Sequence, residues 1–517
     1  METIKYKNMK INLIEFYRET VTKFPDRVAV VDGERNITFS ELDKSARLLA
    51  KEIVAQTPCK NKPIALFLPK CIEAVQADIA ITYSGNAYMN LDVKNPAERL
   101  SNILALIQPV AIITNSRYRK LIEPIANSGI KIINIEEIDS SDAPEAKFFL
   151  SRNKDLIDTD PYCIINTSGS TGTPKGVVLN HRSFIDFMAQ TFDEYNFSEK
   201  DVIGSLSPVI FDIWSYELCM LMGRGASIVV IPDTFSAFPV KILQLMQQHR
   251  VTYIFWVPTI MVNIANMGLL YQVQLPDLRV CWFAGEVFPT KQFNVWRKSL
   301  PQTLFCNYYG PIEITLDCVY YNIEREIPDD EPLPIGKPFR NTSILILDEN
   351  NNNITEQGKE GELCVRGTSL AMGYYNNPEK TAAAFVQNPL NNSYPEIIYR
   401  TGDIVFINEY GEIVFKGRKD SLIKHMGYRI ELGEIEHIII NTLKIVKNGC
   451  VVYNHNAKEI TLFYEAEEEI SPAEFRKAIG SSLPKYMIPV VYNRLDELKR
   501  NPNGKIDRLY YSKKIDE

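Results

Sequence analysis

No run of apolar residues reaches the ~18 that a membrane-spanning helix needs, and the first ten residues are polar. Neither membrane insertion nor an apolar leader is therefore expected. Lys and Arg number 57 against 64 Asp and Glu, a formal net charge of -7, and no basic stripe gathers them. Broad binding to nucleic acid or to an anionic membrane is disfavoured on that ground. The nine cysteines, scattered from Cys59 to Cys450, form no CxxC pair and have no histidine at ligand spacing. This indicates neither a zinc framework nor a disulfide scaffold and fits a cytoplasmic protein. What the chain does have is length and apolar content: 517 residues, 45% of them hydrophobic, enough for a large core in about two to four domains.

One stretch stands apart. Residues 167–176 read Thr-Ser-Gly-Ser-Thr-Gly-Thr-Pro-Lys-Gly. Glycines let backbone N–H groups turn toward an anion, hydroxyls add neutral donors and the lysine adds positive charge, so a triphosphate is a chemically suited guest. A Walker loop is excluded, because four spacers after Gly169 end at Pro174, Lys175 and Gly176, without the second glycine or the metal-binding hydroxyl. The apolar runs at 162–166 and 177–179 predict a hairpin around the loop, where a Walker loop would open a helix. By itself the segment fits a solvated linker as well as a ligand loop.

Around it, helix and strand signals alternate. Leu13, Ile14, Phe16, Tyr17, Val21 and Phe24 recur at helical spacing, and residues 28–31 and 37–39 read as strands about Gly33. Ser40, with Asp43 three residues on, is placed to cap the next helix. Short apolar runs at 64–67, 88–91, 111–114 and 130–135, and again at 227–231, 253–256, 280–284 and 304–308, are separated by helix-length segments. This rhythm predicts two α/β halves with parallel-rich sheets. From about residue 325, short strands and turns at 335–347 and 360–366 predict a small β-rich lobe. A boundary is expected at 417–420, Gly-Arg-Lys-Asp. Beyond it, residues 421–517 predict a small α+β domain with helices at 434–443 and 472–482.

Five separated motifs then fall into one order: residues 162–176; 307–313, Asn-Tyr-Tyr-Gly-Pro-Ile-Glu; 399–403, Tyr-Arg-Thr-Gly-Asp; 427–436, Gly-Tyr-Arg-Ile-Glu-Leu-Gly-Glu-Ile-Glu; and 501–507, Asn-Pro-Asn-Gly-Lys-Ile-Asp. The whole chain resembles the adenylate-forming superfamily of acyl-CoA synthetases, luciferases and peptide-synthetase adenylation domains. The resemblance implies an adenylation core (1–416), a hinge (417–420) and a mobile lid (421–517). It also implies a reaction in which a carboxylate attacks the α-phosphate of ATP, pyrophosphate leaves, and a thiol captures the acyl-adenylate. Such chemistry rests on positioning and charge neutralisation more than on an acid/base pair.

Residue by residue, the resemblance implies that Thr167, Ser168, Gly169, Thr171 and Lys175 hold the β- and γ-phosphates and that Glu313 helps hold Mg2+. Tyr309 would stack on adenine beside Asn307, and Asp403 would take the ribose hydroxyls with Arg418 nearby. Lys505 would bridge the substrate carboxylate and the α-phosphate. Asp420 marks the hinge about which the lid exchanges Lys505 for residues 427–431; an exposed linker aspartate is the plainer reading of that residue.

The segment 211–217, Phe-Asp-Ile-Trp-Ser-Tyr-Glu, matches the place where amino-acid-activating members carry an aspartate for the substrate ammonium. Asp212 takes that place, with a helix cap as its alternative role. The matching pocket positions are Ile213, Tyr216, Phe255, Trp282, Ala284, Tyr308, Leu316 and Asp317. Aromatic walls favour a small amino acid such as alanine, glycine or serine; Asp317 could meet a hydroxyl, a cation or solvent. The run 285–289, Gly-Glu-Val-Phe-Pro, resembles D-alanine:carrier protein ligases, from which Ala284 (in place of cysteine) and Ile312 (in place of threonine) depart. With neither a condensation motif nor a carrier serine in the sequence, the expected acceptor is a separate phosphopantetheine-bearing carrier protein, with coenzyme A second. An acyl- or aryl-CoA ligase and a noncatalytic nucleotide-binding protein remain alternatives.

Overall fold

The computed structural model describes residues 10–139, 143–167, 174–419, 422–500 and 506–516. Two large sheets form its centre. The first has nine strands, in the spatial order Lys337–Pro338, Val319–Asn322, Leu304–Tyr309, Val280–Phe283, Tyr253–Trp256, Val202–Ser205, Ser227–Val230, Val28–Asp32, Arg35–Thr38. It is parallel from Leu304–Tyr309 to Val28–Asp32 and antiparallel at both edges. Its inner strands are covered on both faces, which is why Tyr253–Trp256 and Val280–Phe283 are continuous apolar runs with every residue buried.

The second sheet has seven strands, ordered Gly373–Tyr374, Lys175–Asn180, Pro161–Thr167, Ala87–Asn90, Pro63–Leu66, Ala111–Thr114, Lys131–Asn134. The two α/β halves expected from the sequence are present, but they are not consecutive in the chain. Val28–Asp32 and Arg35–Thr38 cross over to complete the sheet of the later half. The sequence signal for a strand is local and carries no partner, so this exchange is invisible until strands pair.

One capping assignment is corrected. The helix Phe39–Gln56 begins at Thr38, whose hydroxyl accepts the Glu41 N–H while Glu41 accepts the Thr38 N–H. Asp43 lies inside the helix, where it takes the Tyr83 hydroxyl at 2.5 Å and Arg47 at 2.8 Å. Glutamate at the third position reaches back to the cap backbone, and this reciprocal pair outcompetes the Ser40–Asp43 alternative.

The β-rich lobe is an antiparallel sheet of Thr342–Leu347, Gly361–Gly367, Ile397–Ile407, Phe385–Gln387 and Ile413–Arg418. The C-terminal α+β domain pairs Leu422–His425 with Tyr428–Glu431 and stacks a three-stranded sheet, Asn448–Asn454, Glu459–Glu465 and Val491–Leu495, against the helices Leu432–His437 and Pro472–Ile479. It has its own apolar core, including Ile430, Ile435, Leu462, Phe475 and Met487. The helix expected at 434–443 starts at Leu432 and continues past His437 as a single π turn, Ile438–Thr442.

Candidate active site

The site lies where the C-terminal hairpin meets the large N-terminal domain. Pro161–Thr167 and Lys175–Asn180 pair antiparallel, with Thr167 opposite Lys175. The loop thus joins two strands, as the flanking apolar runs require. Ser168, Gly169 and Thr171, at its tip, lie outside the described residues, as do Asp420 and Lys505. Lys175 reaches out of the hairpin to Glu431 Oε1 at 3.1 Å, with its ammonium 5.2 Å from the Tyr374 ring centre. Beside it, the buried side-chain atoms of Asn166 and the Thr167 hydroxyl have no hydrogen-bond partner among the described residues. Buried polar atoms without partners at a cavity wall are suited to a polar ligand.

Glu313, on the short turn Ile312–Ile314, is fully buried. Tyr374 donates to its Oε1 at 2.8 Å and Arg429 to its Oε2 at 2.5 Å. Burial by itself would raise the pKa of Glu313; Arg429 and Lys175, with the Tyr374 hydroxyl, outweigh it and bring the carboxylate down to about 2. Asp403, also buried, accepts from the Tyr309 hydroxyl through one oxygen and from Arg418 through the other. Asn307 is held through its amide nitrogen to the Pro334 carbonyl at 2.8 Å. Tyr309, Asp403 and Arg418 therefore form one cluster, with the Lys424 ammonium 6.0 Å from the Tyr309 ring centre.

A cavity of about 110 Å³ adjoins this cluster. Asp212, Ile213, Phe255, Ala284, Leu316 and Asp317 all line it, together with Asn166, Thr167, Arg99 and Lys424. Asp212 is the first residue of the helix Asp212–Arg224, and its Oδ1 accepts the Ile213 N–H at 3.0 Å. Burial pushes its carboxyl up to about 6. Asp317 is 3% exposed, and burial, reinforced by the nearby Asp212, holds its carboxyl well above the usual range.

Tyr216, Trp282 and Tyr308 lie behind the lining. Trp282 is stacked between the other two, 5.3 Å from Tyr216 and 4.3 Å from Tyr308, and Phe255 packs on its edge at 5.5 Å. All three are fully buried in the main core. Trp282 and Tyr308 pack against Phe255, which does line the cavity.

Residues 427–431 are at the site. Gly427 N donates to Glu286 Oε1 at 2.8 Å. With φ at +82° and Val257 2.9 Å from where a Cβ would stand, Gly427 is a position only glycine fills easily. Tyr428 stacks on Tyr486 at 3.6 Å and meets Phe211 edge-on at 5.1 Å. Arg99 pairs with the fully buried Glu434, and Ser482 with Glu98, fixing the helix Ala97–Ile107 against the C-terminal domain.

Several of these residues escaped sequence reasoning. Arg429 and Glu431 stood inside a recognised motif, but nothing local marks which residue they pair with. Arg99 and Glu434 pair across 335 residues of chain, and nothing local marks either as half of a buried pair. A buried network beside the cavity also went unseen: Trp214 Nε1 donates to Asp78 at 2.7 Å, and Asn90 Nδ2 donates to Asp78 at 3.1 Å and to the Val209 carbonyl at 3.0 Å. It ties the turn before Asp212 to the helix Ile72–Tyr83 and the strand Ala87–Asn90. A lone aspartate within an apolar helix was the available signal.

Among known proteins, the model for the AMP-binding enzyme family matches residues 17–375. Tyrocidine synthase 1 of Brevibacillus parabrevis is 31% identical over 96% of this chain, which spans 44% of that protein's length. The L-proline-(L-prolyl-carrier protein) ligase of Streptomyces coelicolor is 29% identical over 96% of this chain and 95% of its own length. The Vibrio cholerae adenylation domain AlmE, solved in complex with glycyl-adenosine-5'-phosphate, superposes over 99% of both chains with a TM-score of 0.84 at 20% identity, which establishes the shared fold.

Proposed function

We propose that this chain, which belongs to the AMP-binding enzyme family, is an ATP-dependent ligase that activates a small amino acid as its adenylate and passes it to the thiol of a separate carrier protein. The observation that carries this reading is Asp212: a carboxylate lining a small, partly open cavity next to the cluster of Tyr309, Asp403 and Arg418. A half-buried carboxylate on a cavity wall calls for a cation, and an α-ammonium would supply one. Relatives that span similar lengths include one named as a prolyl-carrier protein ligase. Of the small amino acids, D-alanine is supported by the run 285–289 alone.

In this reading the loop 167–176 holds the β- and γ-phosphates, Tyr309 stacks on adenine and Asp403 takes the ribose hydroxyls. Lys505 neutralises the charge that builds as the two anions meet. Glu313 fits a Mg2+ ligand by its chemistry: it is an ionised carboxylate near the phosphate loop, and Mg2+ takes one or two carboxylates alongside phosphate oxygens and water. Bound there, the ion would neutralise phosphate charge. Arg429 pairs with one oxygen of the same carboxylate here and would compete with the ion for its charge. In the same reading the lid alternates: Lys505 enters for adenylation, and the arrangement with residues 427–431 at the site serves thiol capture, with residues 417–420 as the hinge.

Amino-acid-dependent ATP–pyrophosphate exchange tests the proposal. Across glycine, both enantiomers of the common amino acids, and fatty and aryl acids, a signal confined to one or a few small amino acids is expected. Exchange with only the acids lacking an amino group would overturn the role of Asp212 and favour a CoA ligase.

A further inference from the structure

We infer that Lys70 is a positioning residue for the amino-acid site: its ammonium grips the backbone turn 206–211 and thereby sets where Asp212 stands in the cavity. The inference rests on reading Asp212 as the partner of the substrate ammonium. Lys70 lies between the strand Pro63–Leu66 of the seven-stranded sheet and the helix Ile72–Tyr83. From there it crosses to the nine-stranded sheet, where its Nζ donates to the Ser205 carbonyl at 2.7 Å and to the Ser207 carbonyl at 3.3 Å. An ammonium has several donors, so it can hold two carbonyls that a bend in the chain turns toward one point.

These two carbonyls stand where the strand Val202–Ser205 gives way to the turn, and the helix Asp212–Arg224 begins at the turn's far end. Within the turn, Ile210 and Phe211 line the cavity beside Asp212. Ser207 also reaches the cavity wall, its hydroxyl donating to the Phe255 carbonyl at 3.4 Å. The Asn90 amide holds the Val209 carbonyl at 3.0 Å, so Lys70 fixes the start of the turn and Asn90 its middle. Residues 206–211 belong to no strand or helix that would hold them. A shift at Ser207 is therefore passed along the turn to Asp212.

A counter-charge keeps the lysine in place. The Ser205 hydroxyl donates to Glu217 Oε2 at 2.5 Å, which ties the helix back to the strand. Glu217 is fully buried, and its Oε1 has no hydrogen-bond partner among the described residues. Lys70 is the cation that acts on it, and Glu217 is the foremost anion acting on Lys70. The other charges facing Lys70 are Asp233 and Lys94, which pair with each other at the surface. Burial disfavours both charges of the Lys70–Glu217 couple, and their mutual attraction opposes it. Removing the lysine would strip two carbonyls of a donor and a buried carboxylate of its cation at one stroke.

Pyrophosphate exchange tests this with glycine, alanine and serine, with propionate as an acid lacking the amino group, and with the variants Lys70→Met, Lys70→Gln and Lys70→Arg. Lys70→Met should raise the KM of the preferred amino acid about tenfold while kcat and the KM for ATP stay within about threefold, the scale of losing a charged hydrogen bond at the amino-acid end alone. Arg keeps a charged donor and should recover most of that shift, with Gln between the two. In an Asp212→Asn background, Lys70→Met should lower the amino-acid kcat/KM by less than about twofold, because a residue acting through Asp212 has nothing left to position. Adding Glu217→Gln to Lys70→Met should leave the shift in place, since neither carbonyl regains a donor. Equal shifts in both backgrounds, an equal shift in the KM for ATP, or recovery on adding Glu217→Gln would overturn the inference and leave Asp212 as the ammonium's partner. If Lys70→Met yields no folded enzyme, the same comparisons with Lys70→Gln decide. A wild type that exchanges with propionate as well as with the amino acids, or with none of the amino acids, overturns both.

Discussion

Glu313 and Asp212 are carboxylates of one site, close enough for the charge of one to act on the other, yet Glu313 lies at about 2 and Asp212 at about 6. Both are pushed up by burial. They differ in their partners: Glu313 has Arg429, Lys175 and the Tyr374 hydroxyl, while Asp212 has backbone N–H groups and the influence of Lys424. Around Glu313 charge is neutralised, carboxylate by cation, through contacts that reach across to the C-terminal hairpin. Asp212, by contrast, accepts no hydrogen bond from a side chain among the described residues, only the Ile213 N–H. Environments that separate the pKa values of neighbouring carboxylates suit them to different roles: in the proposed reading Glu313 exchanges partners as the lid moves, and Asp212 takes the substrate cation.

The comparison can be broken most severely at Lys505. Lys505→Ala should lower the exchange rate about 10³-fold, as expected for loss of a group that stabilises developing charge, with ATP binding by calorimetry little changed. An unchanged rate would show that the nucleotide end needs no incoming lysine. At the other end, Asp212→Ala should raise the amino-acid KM by about 10²-fold, the scale of truncating one member of a buried charge pair. The KM for ATP should move far less; equal changes in both would erase the distinction between the two ends.

A pH profile sharpens the difference. Below about 6 the Asp212 carboxyl takes up a proton and loses its hold on an ammonium. The amino-acid kcat/KM should therefore fall by about tenfold per pH unit on the acid side. Asp212→Asn, slower throughout, should lack that limb, whereas Glu313, at about 2, contributes nothing to it. The smallest effect is expected from the network behind the turn. Trp214→Phe removes the donor to Asp78 and should raise the amino-acid KM about fivefold with kcat nearly preserved, the worth of roughly one hydrogen bond. A change confined to kcat would show that the network does not position Asp212.

Much of this was legible in the sequence, for identifiable reasons. Buried parallel strands announce themselves as unbroken apolar runs, so 253–256 and 111–114 coincide with observed strands. The hairpin of Pro161–Thr167 and Lys175–Asn180 followed from the apolar runs on both sides of its loop. Six of the positions expected to face a substrate, Asp212, Ile213, Phe255, Ala284, Leu316 and Asp317, line one cavity. Tyr216, Trp282 and Tyr308 do not reach its lining; their rings stack with one another, and Trp282 and Tyr308 pack against Phe255. What stayed hidden depends on pairing over long chain distances: Val28–Asp32 joining Ser227–Val230, Arg429 meeting Glu313, Arg99 meeting Glu434. No local pattern encodes the partner in such contacts.

The central claim, that Asp212 makes this an enzyme for amino acids, is tested most directly by matched pairs of acids that differ in the α-amino group, such as serine against 3-hydroxypropionate and alanine against propionate, in pyrophosphate exchange. The account predicts exchange with the amino acid and about 10²-fold less with its des-amino partner, a gap that Asp212→Asn closes. Equal exchange within a pair, or a gap that survives Asp212→Asn, would contradict it.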